Sequence, residues 1–137
     1  LVLRALKIGP GDAVFCPSFT FSATAEVVAL VGATPVFVDV DPATYTMEPS
    51  HLQAAIEEMA KEARLVPRAI IAVDLFGQPA DYPALEAVAL AHGLVLISDS
   101  AQGFGCQLND RQPLGCCQAN AIKSPVRGSA RAFWSWV

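Results

Sequence analysis

The stretch LVLISDSAQGFG, residues 94–105, decides how the chain is read. An apolar run stops at Asp99, and small residues, Gln102 and two glycines follow at once. Such a run suits a strand covered on both faces, as in a parallel sheet. A carboxylate at the mouth of a buried strand is costly unless a cation or a set of donors meets it. What Asp99 meets is therefore the first functional question.

Working outward, AIIAVD (69–74) is a second near-continuous apolar strand, and TPVFVDV (34–40) a third, with Asp41-Pro42 as its turn. AVFC (13–16) is a shorter one, closed by Pro17. Helical patterns lie between them. Residues 1–7 read as a helix ended at Gly9, and FSATAEVVALVG (21–32) as another, with Ala25, Val28 and Ala29 on one face. Residues 49–63 repeat Leu52, Ala55, Ile56 and Met59 at helical spacing, with Glu57, Glu58, Lys61 and Glu62 on the wet side. Asp81 caps a helix over 82–92 that tolerates Pro83 in its first turn and ends at Gly93. Strand–helix–strand units with short turns predict an α/β fold built on a mostly parallel, doubly wound sheet.

Composition narrows the class. The 137 residues are 53% hydrophobic and 16% charged, enough for one domain with a real core. No apolar run reaches the ~20 residues of a membrane span, and no signal-peptide pattern is present. With a formal charge of −4 and no basic stripe, neither nucleic acid nor membrane is the expected partner. Cys16, Cys106, Cys116 and Cys117 lack the spacing of a zinc knuckle. They read as reduced, structural thiols in a cytoplasmic protein.

In doubly wound sheets ligands sit beyond the carboxyl ends of the strands. Three such ends carry unusual residues here: Pro17-Ser18-Phe19-Thr20-Phe21, Asp74-Leu75-Phe76-Gly77-Gln78 and Asp99-Ser100-Ala101-Gln102. From the residues alone, Asp99 could bind Mg²⁺, accept a phosphoryl group, pair with a heterocyclic cation, or cap the turn through Ser100–Gly103 amides. A small binding or phospho-acceptor signalling module is thus one reading. Its acidic pair would be Asp39 and Asp41, although DVDPATY reads better as a turn. Asp74 is either a lining residue or a turn acid. Ser18 and Thr20 read as supports of their turn, and Phe19 as core packing. His51 and His92 sit at helix ends without metal partners, and Met47 and Met59 read as packing.

Two long blocks carry a resemblance. GPGDAVFCPSFTFSATAEVVALVGATPVFVDVDPATYTM (9–47) and VDLFGQPADYPALEAVALAHGLVLISDSAQGFG (73–105) resemble, in order and spacing, the DegT/DnrJ family of sugar aminotransferases. The resemblance runs from Leu1 to about Ile122. It implies the aspartate-aminotransferase (fold-type I) large domain and pyridoxal 5'-phosphate as cofactor. It also implies a homodimer that moves an amino group, from glutamate, to a nucleotide-linked keto sugar. In that family Asp99 would hold the proton on the cofactor's ring nitrogen, Gln102 would contact its phenolic oxygen, and Phe21 would stack on the ring.

The resemblance also has gaps. The family's phosphate-holding Gly-Thr segment would lie upstream of Leu1, and the chain opens without Met inside a helical pattern. The position of the lysine that forms a Schiff base with the cofactor falls on Gly128, with Arg127 before it. Lys123 falls short of that position, so no catalytic lysine is assigned. Residues 1–122 carry a net charge of −7, whereas KSPVRGSARAFWSWV (123–137) holds no acid, three bases and both tryptophans. That change predicts a partial cofactor-binding domain over 1–122. Residues 123–137 are then an aberrant tail from a shifted frame or a spliced end, or else an ordinary basic tail. The expectation is a fragment that does not turn over alone.

Overall fold

A computed structural model describes residues 1–103 and the short segments 121–123 and 131–132. Elements follow in the order α1 (Val2–Ala5), β1 (Asp12–Pro17), α2 (Ala23–Leu30), β2 (Thr34–Val38), α3 (Pro49–Glu62), β3 (Val66–Val73), a 3₁₀ turn (Leu75–Gly77), α4 (Tyr82–His92), β4 (Val95–Asp99), β5 (Ala121–Lys123) and β6 (Arg131–Ala132). The sheet order is β2-β1-β3-β4-β5-β6. The first four strands run parallel, β5 is antiparallel to β4, and β6 is antiparallel to β5.

Successive strand residues point to opposite faces, and both faces of β1, β3 and β4 are covered, while the edge strand β2 leaves Phe37 open. Phe15, Ile70, Ala72 and Leu96 pack with Leu52, Ile56, Leu85 and Ala89 of α3 and α4. Val14, Cys16, Ile71, Val73 and Ile97 pack on the other side with Leu3, Ile8 and Val28. This two-sided burial is why the strands read as unbroken apolar runs. The chain winds one way from β1 to β2 and the other way from β3 to β4, so the topological switch lies between β1 and β3.

The helix signals act as their chemistry predicts. The Asp81 carboxylate accepts from the Ala84 N–H at 3.2 Å, and Gly93 ends α4 in the left-handed region at φ 67°. Glu48 caps α3 by accepting from Ser50 N–H at 3.3 Å, with Pro49 in the first turn.

Two boundaries and one helix face differ from the sequence reading. The first helix is a single turn, stopped at Lys7 (φ 57°) before Gly9 is reached. Strand β2 ends at Val38, and Val40 instead makes an isolated bridge to Met47. In α2 the buried residues are Thr24 and Val28, Ala25 is half-buried and Ala29 faces solvent. That helix is apolar nearly all round, so its periodicity does not choose a face; packing on the sheet does.

Residues after Ile122 show no strand period, yet Lys123 closes β5 and two further residues form β6. Pairing with an open sheet edge needs only backbone donors and acceptors, which every sequence supplies. Lys123 registers with Leu96, three positions before Asp99. Cys16 is a buried free thiol, pushed up to about 12 by burial, in keeping with a structural role. Cys106, Cys116, Cys117, Arg127 and Gly128 lie outside the described residues.

Candidate functional site

The carboxyl ends of β1, β3 and β4 open on one rim because the three strands are parallel neighbours. Their loops are tied together there. Asp99 registers with Val73, and the next residue, Asp74, donates its N–H to the Asp99 carbonyl at 2.9 Å.

Asp74 is fully buried and neither lines the rim nor acts as a simple turn acid. Its Oδ1 accepts from Ala80 N–H at 3.1 Å and from the Tyr82 hydroxyl at 2.7 Å, and its Oδ2 accepts from the Ser100 hydroxyl at 2.5 Å. The Ser98 hydroxyl lies 2.6 Å from that of Tyr82 and 3.0 Å from that of Ser100. Burial and the neighbouring Asp74 raise Tyr82 above the usual phenol range, so it stays a donor. Gly103 closes over this network; a Cβ there would lie 2.9 Å from Asp74 Oδ2 and 3.0 Å from Asp74 Cβ. The β4 loop is thereby clamped on the end of β3.

Asp99, next door, is half-buried and differently served. Its Oδ1 accepts from the Ala101 N–H at 3.2 Å, which is the turn-capping bond open to it from sequence. Among the described residues no lysine or arginine pairs with it. Burial pushes its carboxyl above the ordinary range, the Ala101 bond works the other way, and the charge of Asp74 raises it further. Gln102 Oε1 accepts from Phe76 N–H at 2.8 Å. Because an N–H must meet an oxygen, that bond fixes the amide's orientation and leaves its NH₂ to donate.

Aromatic rings crowd the same rim. Phe21 is 72% exposed just before α2. Phe19, read from sequence as core packing, is 51% exposed and instead meets Tyr45 and Phe76 at centroid distances of 5.8 and 6.5 Å. The reason is its position just past the strand end, beyond the sheet's core layers.

The remaining candidates have local roles. Ser18 supports its turn, with its hydroxyl donating to Asp39 at 3.1 Å and its N–H to Val38 at 2.8 Å. Thr20 makes no such bond: its Oγ1 is buried without a partner among the described residues. Asp41 is the turn residue expected, accepting from Ala43 and Thr44 N–H at 2.7 and 2.8 Å; those bonds hold its carboxyl below the usual range. Met47 is buried and Met59 packs against the core. His92 Nε2 meets Gln53 Oε1 at 3.0 Å, tying α4 to α3, and His51 is exposed in α3. Among the described residues no helix is long and apolar enough to cross a membrane.

Residues 1–124 match the DegT/DnrJ/EryC1/StrS aminotransferase family. The chain belongs to this family. It is 54% identical over 109 residues to the UDP-N-acetyl-3-dehydro-alpha-D-glucosamine 3-aminotransferase of Acidithiobacillus ferrooxidans, covering 80% of this chain and 28% of that protein. A DegT/DnrJ/EryC1/StrS aminotransferase structure from Brucella abortus is 60% identical with a TM-score of 0.74, covering 75% of this chain and 28% of that one. NtdA from Bacillus subtilis, solved with bound cofactor PMP, is 32% identical with a TM-score of 0.68, covering 77% of this chain and 22% of that one. This chain thus spans about a quarter of the length of these relatives, and its sheet is that of a fold-type I aminotransferase large domain.

Pyridoxal phosphate is the cofactor of the DegT/DnrJ family, and the rim suits it chemically. Asp99 offers a half-buried carboxylate with no cation partner among the described residues, Gln102 offers an oriented NH₂ donor, and Phe21 offers an open ring. Sequence reading missed Tyr82, Ser98, Ser100 and Gly103 as the clamp beneath this rim. The β3–β4 register brings Ser98 and Ser100 to Asp74, while Tyr82 reaches it from the start of α4.

Proposed function

We propose that this chain is the cofactor-socket part of a pyridoxal-phosphate aminotransferase acting on a nucleotide-linked keto sugar, with glutamate as amino donor. One observation supports it above the rest. The Asp99 carboxylate, with its proton affinity raised by burial, has no cation partner among the described residues and sits on the rim that also carries Gln102.

When bound, the cofactor supplies an electron sink that works only while its ring nitrogen stays protonated. Asp99 would hold that proton by charge, and the cation would in turn draw the carboxyl back down. The Gln102 NH₂ would donate to the phenolic oxygen, and Phe21 would cover a ring face. The 3-keto position and the UDP carrier are suggested by the Acidithiobacillus relative.

The domain reading stays as read from sequence: a partial cofactor-binding domain over 1–122 and an aberrant tail over 123–137. Gly128 stands where the family has its lysine, so this chain by itself is proposed to lack turnover. A homodimer in the cytoplasm is the proposed setting of the active enzyme. The codons after Ile122 test the tail: a Ser-Phe-Phe-Pro-x-Lys-like run in another frame is expected, and its absence would sink the shifted-frame reading.

The function is tested by equilibrium dialysis of the full chain against pyridoxal phosphate, followed by borohydride and mass mapping. The expected result is weak, reversible retention that Asp99→Asn diminishes, with no adduct and no turnover of UDP-3-keto sugar plus glutamate. Equal retention by both proteins would overturn the role of Asp99. A trapped adduct on Lys123 with turnover would overturn the proposed inactivity.

A further inference from the structure

Phe19, Tyr45 and Phe76 come from three different loops, after β1, β2 and β3, and close into a triangle. Their centroids lie 5.8, 6.4 and 6.5 Å apart with tilted or edge-on planes. Yet the rings are 51%, 48% and 72% exposed, so the cluster is not a core. Two of its members are also strained: Tyr45 and Phe76 stand at φ 59° and 57°, in the left-handed region that non-glycine residues rarely adopt. Strain of this kind costs on the order of 1 kcal/mol or more per residue and gathers where a loop meets a ligand.

The location is as telling as the strain. Phe19 follows β1 and Phe76 follows β3, the two strands that flank the topological switch, where open α/β sheets take their ligands. Phe76 also gives its N–H to Gln102, which joins the triangle to the Asp99 loop. Acids share the same loops. Asp39 holds Ser18 beside Phe19, and the Asp41 carbonyl accepts from Tyr45 N–H at 2.8 Å. A phosphate would be repelled there, whereas an uncharged planar ring would not.

We infer that the Phe19–Tyr45–Phe76 triangle is a stacking platform for the pyrimidine base of the nucleotide-linked sugar, with the phosphates directed away from Asp39 and Asp41. This rests on the reading proposed above. Base–aromatic stacking is worth about 1–3 kcal/mol per base, so each ring that touches the base carries a measurable share.

The test titrates the full chain with uridine 5′-monophosphate and, separately, with ribose 5-phosphate, which lacks the base. Nuclear magnetic resonance follows the uracil H5 and H6 signals. Upfield ring-current shifts are expected with the nucleotide and no saturable binding with the sugar phosphate. Tyr45→Leu and Phe76→Leu keep apolar bulk but remove the π face, and each should weaken nucleotide binding about ten-fold or more. Tyr45→Ala serves if a leucine variant fails to fold.

Binding of both probes alike, or leucine variants that bind like the parent chain, would overturn the platform. So would self-association of the unliganded chain that Phe76→Leu abolishes, because a second copy would then be the occupant. Retention of pyridoxal phosphate is measured on the same proteins. If it still depends on Asp99 while base binding fails, the platform falls and the aminotransferase reading stands. If base binding holds while cofactor retention is indifferent to Asp99, the platform stands and the role of Asp99 falls.

Discussion

Two aspartates end neighbouring strands, and the protein treats them in opposite ways. Asp74, after β3, is fully buried and accepts from one backbone N–H and two hydroxyls. Asp99, closing β4, is half-buried and, among the described residues, accepts from a single backbone N–H. Both lose hydration, but among the described residues Asp74 has three protein donors and Asp99 one. An acid already met by donors holds the fold; one left short has attraction in reserve for a ligand. The pair teaches how a rigid anchor can stand beside an unmet charge on one rim.

The largest way to break the contrast is to remove the anchor. Asp74→Ala strands the buried Ala80 N–H and takes the carboxylate acceptor from the Tyr82 and Ser100 hydroxyls, leaving those two to share the Ser98 hydroxyl. A loss of about 3 kcal/mol or more is expected in urea unfolding, because orphaned buried donors cost ~1–3 kcal/mol each. A loss near zero would mean that the network is not what clamps the β4 loop.

Gly103→Ala attacks the same clamp from above. The added Cβ would lie 2.9 Å from an oxygen that two hydrogen-bonded loops hold in place, so the loop must lift. About 2 kcal/mol of destabilisation is expected, in the range of overpacking in a filled interior. Asp74→Ala should relieve part of it, and a double-mutant cycle reads that coupling. Strict additivity would show that the two residues do not press on each other.

The ease of reading these features from sequence follows their physics. The strands through Ile70 and Leu96 were legible because both sheet faces are covered, which leaves unbroken apolar runs. Asp81 and Gly93 were legible because caps are local chemistry. The face used by α2 was not, since a helix with six apolar residues out of eight leaves the choice to its neighbours. Nor was the partnership of Asp74 with Tyr82 and Ser100, which exists only once α4 has packed and β3 and β4 are in register. The Phe19–Tyr45–Phe76 triangle was hidden for the same reason, its rings coming from three loops. Asp99 itself was legible as an acid in a costly place, and the structure explains the cost.

Removing that cost is the next test. Because the Asp99 carboxyl is raised in the folded chain, the native state binds this proton more tightly than the unfolded state. Stability from this group is therefore fullest at low pH and falls as pH rises from the ordinary carboxylate value through the raised one. Asp99→Asn has no such fall, so the cofactor-free variant should be the more stable protein at neutral pH. Thermal melts across pH should show the two curves converging in acid and separating above the carboxylate range. A variant less stable at neutral pH would mean that Asp99 is already well met, and the contrast with Asp74 would collapse.

The smallest effect comes from a third aspartate that sharpens the rule. Asp41 accepts two backbone N–H bonds in its turn, and these hold its carboxyl below the usual range, the opposite of Asp99. The sign therefore reverses: its contribution is present above the ordinary carboxylate value and is lost as pH falls through the lowered one. Asp41→Ala should lower the melting temperature slightly at neutral pH, with the gap closing in acid. Asp41→Asn keeps an acceptor for Ala43 and Thr44 and should recover most of the loss. A gap that instead widens in acid would mean that backbone donors do not set the sign at this turn. Hydration and donor count would then fail to separate the three acids.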